Sequence, residues 1–415
     1  MPSGPLDILT TRPARRPIGL AVLLALTLSP VLATAQTIDV GGFVKSSYYY
    51  DTRQIAGARE GDFVLYPKPE EPVDGEDANS TDNLLFFPLF SRIAFAVGDL
   101  PSVFGAEVTG RIEGDFHGAS NDVLNSYRLR RGYVKFSWDR HEALFGMEWS
   151  PTFLETWPRT AATEAGVPYH TFSRLPQARW TYRPDGFKVI LLAAQERDAF
   201  AELSGLKSAQ QAGLPMFMAF AGIERETLRL GAGAWTKWVR PTLTADRFNA
   251  MAYQSYVTWS PSPFTFRAKV TYGEDLADQI MTGGYVVDDT GEAVSLRTLA
   301  AWGEIETNRE GLNLGFFGGW FTNLGAGETV DVTELVDDPA DPARNVFVRG
   351  LTIDRGFRVA PRATYDVGRV RFALELQIDD AVYASALDSE LAPDPADDDD
   401  SVTNVRTDFS VFLFF

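Results

Sequence analysis

Polar and apolar residues alternate one by one over long stretches of this chain. Over residues 264–272, Phe264, Phe266, Ala268, Val270 and Tyr272 share one parity, and Thr265, Arg267, Lys269 and Thr271 the other. Over 370–379, Val370, Phe372, Leu374, Leu376 and Ile378 oppose Arg371, Glu375, Gln377 and Asp379. Over 104–116, Ala106, Val108, Ile112 and Phe116 oppose Glu107, Thr109, Arg111, Glu113 and Asp115. A period of two predicts strands with one apolar face. No stretch of convincing length has a helical period. The chain ends in the same way, with Phe409, Val411, Leu413 and Phe415 set against Arg406, Asp408 and Ser410. Termini usually fray into water, so a last strand this apolar needs something to cover it.

The connections between these segments fall into two classes. Short ones lie near 98–103, 139–141, 183–186, 224–227, 260–263, 308–311 and 366–369. Longer ones lie near 52–82, 118–124, 150–174, 198–214, 240–247, 275–292, 324–350 and 382–401. They alternate along the chain and predict about 16 strands. Short turns at one end and long loops at the other describe an all-β, antiparallel transmembrane barrel with periplasmic turns and extracellular loops. Hydrocarbon leaves no backbone group unpaired, so the last strand must close on the first with its apolar face toward lipid. Trp138 and Trp259 fall beside short turns, and Trp149, Trp238 and Trp320 near loop ends, as in two aromatic girdles.

The first residues read as a leader. Arg12, Arg15 and Arg16 precede the apolar run "IGLAVLLALTLSPVL" and the small-residue site Ala33-Thr34-Ala35. This is the pattern of a cleaved secretory signal over 1–35, leaving the barrel to 36–415. The sequence contains no cysteine, which excludes disulfides and thiolate metal sites; no cofactor and no metal are expected.

One strand breaks the alternation. In "YRLRRGYVKFSW", the parity that sends Arg128 and Arg130 inward sends Arg131 and Lys135 toward lipid. An outward cation at mid-membrane costs about 2–4 kcal/mol. Either a bulge near Gly132 switches the parity, or this wall faces another protomer.

A barrel of this size is too wide for its own side chains to fill, which predicts a water-filled channel. Its inward cations are Arg111, Arg128, Arg130, Arg179, Arg183, Arg229, Lys237, Arg267, Lys269, Arg358, Arg362 and Arg371, and its inward acids Glu107, Glu113, Asp115, Glu148, Glu375 and Asp379. That wall is net basic in a chain of net charge −18. A basic wall favours anions, unless the arginines simply pair with lumenal acids. The long connection at 150–174 is a candidate constriction loop, offering Glu155, Trp157, Arg159, Glu164, Tyr169, His170 and Arg174. Arg159 and Arg174 would face the wall cations or pair with Glu155 and Glu164. The alternative is a loop lying over the mouth.

The acids concentrate in the loops, in "EEPVDGED", "DDPADPAR" and "DSELAPDPADDDD". Such runs are solvated loops, cation sites shared with lipopolysaccharide, or an adaptation to salt. The acidic balance argues against a nucleic-acid partner.

The segments "YRLRRGYVKF", "LFGMEWSPT" and "GVPYHTFSRLPQARWTY", with "GGFVKSSYYYDTRQ" and "RIEGDFHG", resemble the DcaP-like porins and related porin-like proteins of Gram-negative bacteria. The likeness covers most of the first half, and the second half by pattern only. It implies trimeric 16-stranded barrels with arginine-rich, anion-preferring pores that pass small dicarboxylates. It also implies a lumenal role for Arg128 and Arg130 and a constriction role for the loop after Trp149. The first strand starts close to Ala35, which leaves no room for the N-terminal periplasmic helical segment that some members carry.

The expected function is a porin of the outer membrane, in contact with its lipid and lipopolysaccharide and passing small anions. The alternative is a structural or surface-interaction barrel with acidic loops. A barrel hydrolase would need a histidine-based nucleophile at the rim, and His117, His141 and His170 form no such arrangement in sequence. The chain is too short for a plug domain and about 22 strands.

Overall fold

The computed structural model describes residues 37–118, 120–196, 206–338, 340–341, 343–394 and 401–415. The expected leader and its cleavage site lie outside the described residues, as does the acidic stretch 395–400.

Sixteen antiparallel strands close into a barrel. In chain order they are β1 (Thr37–Asp51), β2 (in two pieces, Asn83–Phe87 and Arg92–Gly98), β3 (Glu107–Asp115), β4 (Arg128–Ser137), β5 (His141–Trp149), β6 (Arg174–Tyr182), β7 (Phe187–Ala194) and β8 (Met216–Glu224). The second half comprises β9 (Leu228–Val239), β10 (Phe248–Trp259), β11 (Phe264–Glu274), β12 (Ala293–Thr307), β13 (Leu312–Asn323), β14 (Ile353–Val367), β15 (Val370–Tyr383) and β16 (Ser401–Phe414). Each strand pairs with its sequence neighbours, and β16 closes on β1 from Phe43 opposite Phe414 to Asp51 opposite Arg406. Short turns and long loops alternate as the sequence predicts, and Phe415 exchanges backbone hydrogen bonds with Gly42 on the short-turn side.

The apolar parity faces outward. Phe264, Phe266, Val270 and Tyr272 are exposed on the outer wall, as are Phe372, Leu374, Phe409, Leu413 and Phe415. Their neighbours Thr265, Lys269, Thr271, Glu375, Arg406, Asp408 and Ser410 are buried on the inside. This answers the question raised by the apolar terminus: its covering solvent is hydrocarbon, while Arg406 turns inward and holds Asp51 through two bonds of 2.9 and 2.6 Å.

The irregular strand resolves through a bulge. Opposite β3, the register runs Glu113 to Arg131 and then Gly114 to Leu129, skipping Arg130. Two successive residues thus turn inward, and the parity switches just before Gly132. Arg131 reaches Glu113 at 3.2 Å and Glu148 at 2.6 Å, and Lys135 lies 3.7 Å from Glu142. Leu129 and Val134 take the lipid face.

Trp138, Trp259 and Trp320 are exposed on the outer wall. Trp149 is not part of a girdle. It is buried in the lumen, stacked on Phe153 at 4.0 Å between ring centroids.

Candidate solute pathway

Inserted loops occupy part of the barrel interior. Residues 150–174 fold into the lumen and bond to the wall on many sides. Ser150 caps the single helical turn Pro151–Leu154. Glu155 accepts a hydrogen bond from the Tyr256 hydroxyl at 2.8 Å and pairs with Lys188 at 2.6 Å. Thr156 meets Thr258 at 2.8 Å. The Arg159 backbone N–H donates to Glu304 at 2.9 Å, and the Ala161 N–H to Glu375 at 2.7 Å. Lys45 donates to the Ala161 carbonyl at 3.0 Å and to Thr163 at 3.1 Å. Glu164 accepts from Arg358 at 3.1 Å and from Gln377 at 2.7 Å. These anchors lie on β1, β7, β10, β12, β14 and β15.

Two further inserted segments were not foreseen. The first long loop forms a hairpin, Ile55–Ala58 with Phe63–Pro67, whose Asp62 is fully buried. Asp62 accepts from Tyr49 at 2.7 Å, sits 2.8 Å from His117, and accepts from Thr163 at 3.2 Å, which ties the hairpin to the loop at 150–174. Arg406 donates to the Gly61 carbonyl at 2.7 Å. Burial alone would raise the Asp62 carboxyl, but the bond and charge of His117 and the charge of Lys45 outweigh it and hold it below the usual carboxylate range. Burial pushes His117 down, against the attraction of Asp62. The other segment follows β11, where Asp275 and Asp278 flank Lys237 at 2.9 and 2.7 Å, and the Gln279 carbonyl accepts from the Phe172 N–H at 2.8 Å. The run Phe63-Val64-Leu65-Tyr66 was the available signal. Four apolar residues in an otherwise polar loop demand cover, and Phe63, Leu65 and Tyr66 find it in the cluster that holds Phe172, Trp149 and Phe153.

Together these segments narrow the middle of the lumen. Ser47, Glu113, Lys269, Arg358, Gln377 and Asp408 point inward from β1, β3, β11, β14, β15 and β16, and none exposes more than 2% of its surface. The apolar cluster in the lumen joins loop residues such as Phe63, Phe153, Phe172 and Ile280 to wall residues such as Met218, Trp302 and Phe321.

Most of the predicted lumenal cations have partners. Arg111 pairs with Glu113 at 2.9 Å, Arg128 with Asp115 at 2.8 Å, and Arg130 with Asp115 at 2.7 Å. Arg267 reaches Glu304 at 2.9 Å and Glu306 at 2.6 Å. Arg362 reaches the same two acids at 2.6 and 2.8 Å. Arg358 binds Asp379 as well as Glu164. Arg371 holds Asp366 at 2.7 Å, and Arg183 lies 3.5 Å from Glu142 at the exposed rim. Lys269 contacts the Thr152 carbonyl and lies 3.1 Å from His170 Nδ1. Arg179 makes one 3.5 Å contact to the Trp149 carbonyl. Glu107 is exposed at the short-turn end of β3. Glu304 and Glu306, central to this network, were missed, although they share the inward parity of Trp302 in β12.

In the loop, Tyr169 packs beneath the Arg358 guanidinium, 5.5 Å from its ring centre, and His170 is fully buried. Burial, with the Lys269 charge, pushes His170 well below its ordinary value. Arg174 is buried over the Trp149 ring at 4.9 Å. Lys188 holds Glu155 and Arg358 holds Glu164, the two acids that the loop offered to Arg159 and Arg174.

Arg159 behaves differently. Its guanidinium packs on Trp157 at 4.4 Å, has no carboxylate within ion-pair distance among the described residues, and faces the short-turn side. There it helps line a polar chamber of about 540 Å³ with Arg267, Arg362, Arg371, Arg309, Glu306 and Glu310. Arg229 is near enough to repel it.

No family model matches the chain, and no curated protein matches it. Solved structures do. The outer membrane channel DcaP of Acinetobacter baumannii is similar over 92% of this chain and 97% of its own, with a TM-score of 0.68 at 14% identity. An anion-selective porin from Comamonas acidovorans is similar over 92% and 100%, with a TM-score of 0.55 at 9% identity. The trimer form of OmpT, an outer membrane protein of Vibrio cholerae, covers 92% and 100%, with a TM-score of 0.51 at 10% identity. The chain thus has the closed 16-stranded barrel fold of the DcaP-like outer-membrane porins.

Proposed function

We propose that this protein is an outer-membrane diffusion channel for small anionic solutes such as dicarboxylates, with residues 150–174 as its constriction. The observation that carries the reading is the chamber beneath that loop. Arg159, Arg267, Arg309, Arg362 and Arg371 line it against Glu306 and Glu310. A guanidinium fork suits a carboxylate or phosphate, and among the described residues Arg159 has no carboxylate within ion-pair distance. The neighbours' channel folds support the role, the anion selectivity of the Comamonas porin supports selectivity, and the trimer form of OmpT supports a homotrimer here. The chain would reach the membrane as a precursor cleaved after residue 35, and would carry no catalytic centre, cofactor or nucleic-acid partner.

A lumen narrowed by bonded loops also suits the second reading, a surface-interaction barrel. Residues Val286, Leu296, Val330, Val346, Val348 and Leu391 give the extracellular loops a small apolar core of their own, so these loops present a fixed acidic surface. Planar-bilayer recording separates the two. Anion-selective steps, with a reversal potential that falls in Arg267→Ala, support the channel. Cation-selective steps overturn the anion preference, and silence over a wide voltage and pH range favours the scaffold.

A further inference from the structure

The inserted loop contributes one wall of the chamber, and that wall carries an unbalanced charge. Arg159 sits on the loop, whereas Arg267 and Arg362 sit on β11 and β14. The two wall arginines share Glu304 and Glu306, each touching both. Arg371 is matched by Asp366, and Glu310 lies out at the turn. Glu304 also accepts from the Arg159 backbone, so its oxygens are engaged before the Arg159 side chain is considered. Burial, and then the charge of Arg267, push the Arg159 guanidinium below its ordinary value against the attraction of Glu306 and Glu304, and Arg229 adds to the repulsion. Seating the loop therefore brings a third guanidinium to two carboxylates that Arg267 and Arg362 already share.

We propose that a small dianion, entering from the short-turn side, bridges Arg159 of the loop to Arg267 and Arg362 of the wall and thereby holds the loop in its seated position. The proposal rests on the reading of this chamber as an anion site and adds its regulation. The site is complete only while the loop is seated, because Arg159 leaves with the loop. A ligand that binds one of two states shifts the balance toward that state by its own binding free energy. The anion is thus a lock as well as a cargo. The lock is one-sided, because the chamber opens among the short-turn residues Asn308, Arg309 and Glu310, and the surface at the other end carries acidic loops.

The absence of cysteine permits a clean test. Ala162 lies in the loop and is 5% exposed, so Ala162→Cys places a single thiol that a water-soluble maleimide reaches only after the loop releases. The probe is inorganic phosphate, compared with chloride at equal ionic strength, on the full refolded barrel. Phosphate at about ten times its dissociation constant should slow labelling about tenfold. Arg159→Gln in the same background should remove the effect, and Arg159→Lys should retain part of it, since charge remains without the planar fork. Unchanged labelling with phosphate, or equal slowing in Arg159→Gln, overturns the lock. If Arg159→Gln alters folding, the Arg159→Lys comparison decides the same point. In oriented bilayers, phosphate on the short-turn side should lengthen closed intervals about tenfold, and on the loop side should not; equal effects from both sides also overturn the proposal. A channel lacking anion selectivity would instead defeat the functional reading, while the labelling experiment would still report on the lock.

Discussion

Arg358 and Arg159 are both arginines in the lumen of one barrel, yet their surroundings are opposite. Arg358 is fully buried, bound to Glu164 of the loop and Asp379 of β15, and donates to the Val167 carbonyl at 3.1 Å. Arg159 faces an open chamber with no carboxylate within ion-pair distance among the described residues. The first arginine fastens a plug to a wall, and the second offers charge to whatever enters. An inward arginine in a barrel is therefore not by itself a solute-binding residue; the acids beside it decide which role it takes. Removing a fastening arginine strands buried carboxylates, whereas removing a rim arginine exposes nothing.

The largest effect should follow Arg358→Ala, which leaves Glu164 and Asp379 buried without their cation. Breaking such a pair costs about 3–5 kcal/mol. The loss should appear in the loop first, as faster amide hydrogen exchange over residues 160–170 and a lower unfolding midpoint in denaturant. Native-like exchange would mean that Gln377 and Lys45 suffice to seat the loop, and the contrast between the two arginines would fail.

Gly319→Ala tests the same seam from the wall without touching a charge. A Cβ at Gly319 would lie 2.6 Å from Tyr169 Cγ, and the Tyr169 ring has no room to retreat between Phe317 and Phe321. Overpacking of this kind costs about 1–3 kcal/mol. Tyrosine fluorescence cannot isolate one ring among 14 tyrosines, so the measure is again exchange over the loop, expected to rise less than in Arg358→Ala.

Acid should loosen both inserted loops. His117 and His170 hold lowered pKa values in the seated state, from burial first. Below about 6.5, the ordinary value, the released imidazoles take up protons before the seated ones do. Seating stability is therefore full above that pH and falls as pH drops toward the lowered values. Groups facing His117 are Asp62, Asp115 and Arg128, and Lys269 faces His170. Exchange over 55–67 and 160–172, corrected for its intrinsic pH dependence, should rise between pH 7.5 and 5. His170→Gln should reduce the response in the second window only.

The barrel was largely legible in the sequence and the plug only in part, and the physics explains why. Lipid on one side and polar contents on the other impose a strict alternation, so Phe264 to Tyr272 declare their faces. The alternation of turn lengths supplied the strand count. The bulge at Arg130 was legible as a contradiction, because Arg131 and Lys135 could not both face lipid alone. The loop at 150–174 was recognisable by its length and its aromatic content. Its partners were not, because Glu155 meeting Lys188 and Glu164 meeting Arg358 depend on contacts distant along the chain. The hairpin around Asp62 carried a signal in its apolar run that was read as ordinary loop. The pairing of Arg267 and Arg362 with Glu304 and Glu306 required neighbouring strands in register, with Arg267 opposite Glu304.

The smallest expected change in stability belongs to Arg371→Ala, and it sharpens the comparison from the other side. Arg371 pairs with Asp366 near the last short turn, with both side chains more than a third exposed. Water screens such a pair, so its loss should cost about 0–1 kcal/mol, and the denaturant midpoint and loop exchange should stay close to those of the native chain. Selectivity is a separate matter. Arg371 lines the chamber, so its removal lowers the positive potential there by one charge and should shift the reversal potential toward cations at low salt, with the shift fading as salt rises. A destabilisation as large as that of Arg358→Ala would show that the rim pairs also fasten the fold. A reversal potential that does not move, beside a stability that does, would assign the whole lumenal arginine set to bracing and leave the chamber without a role in choosing solutes.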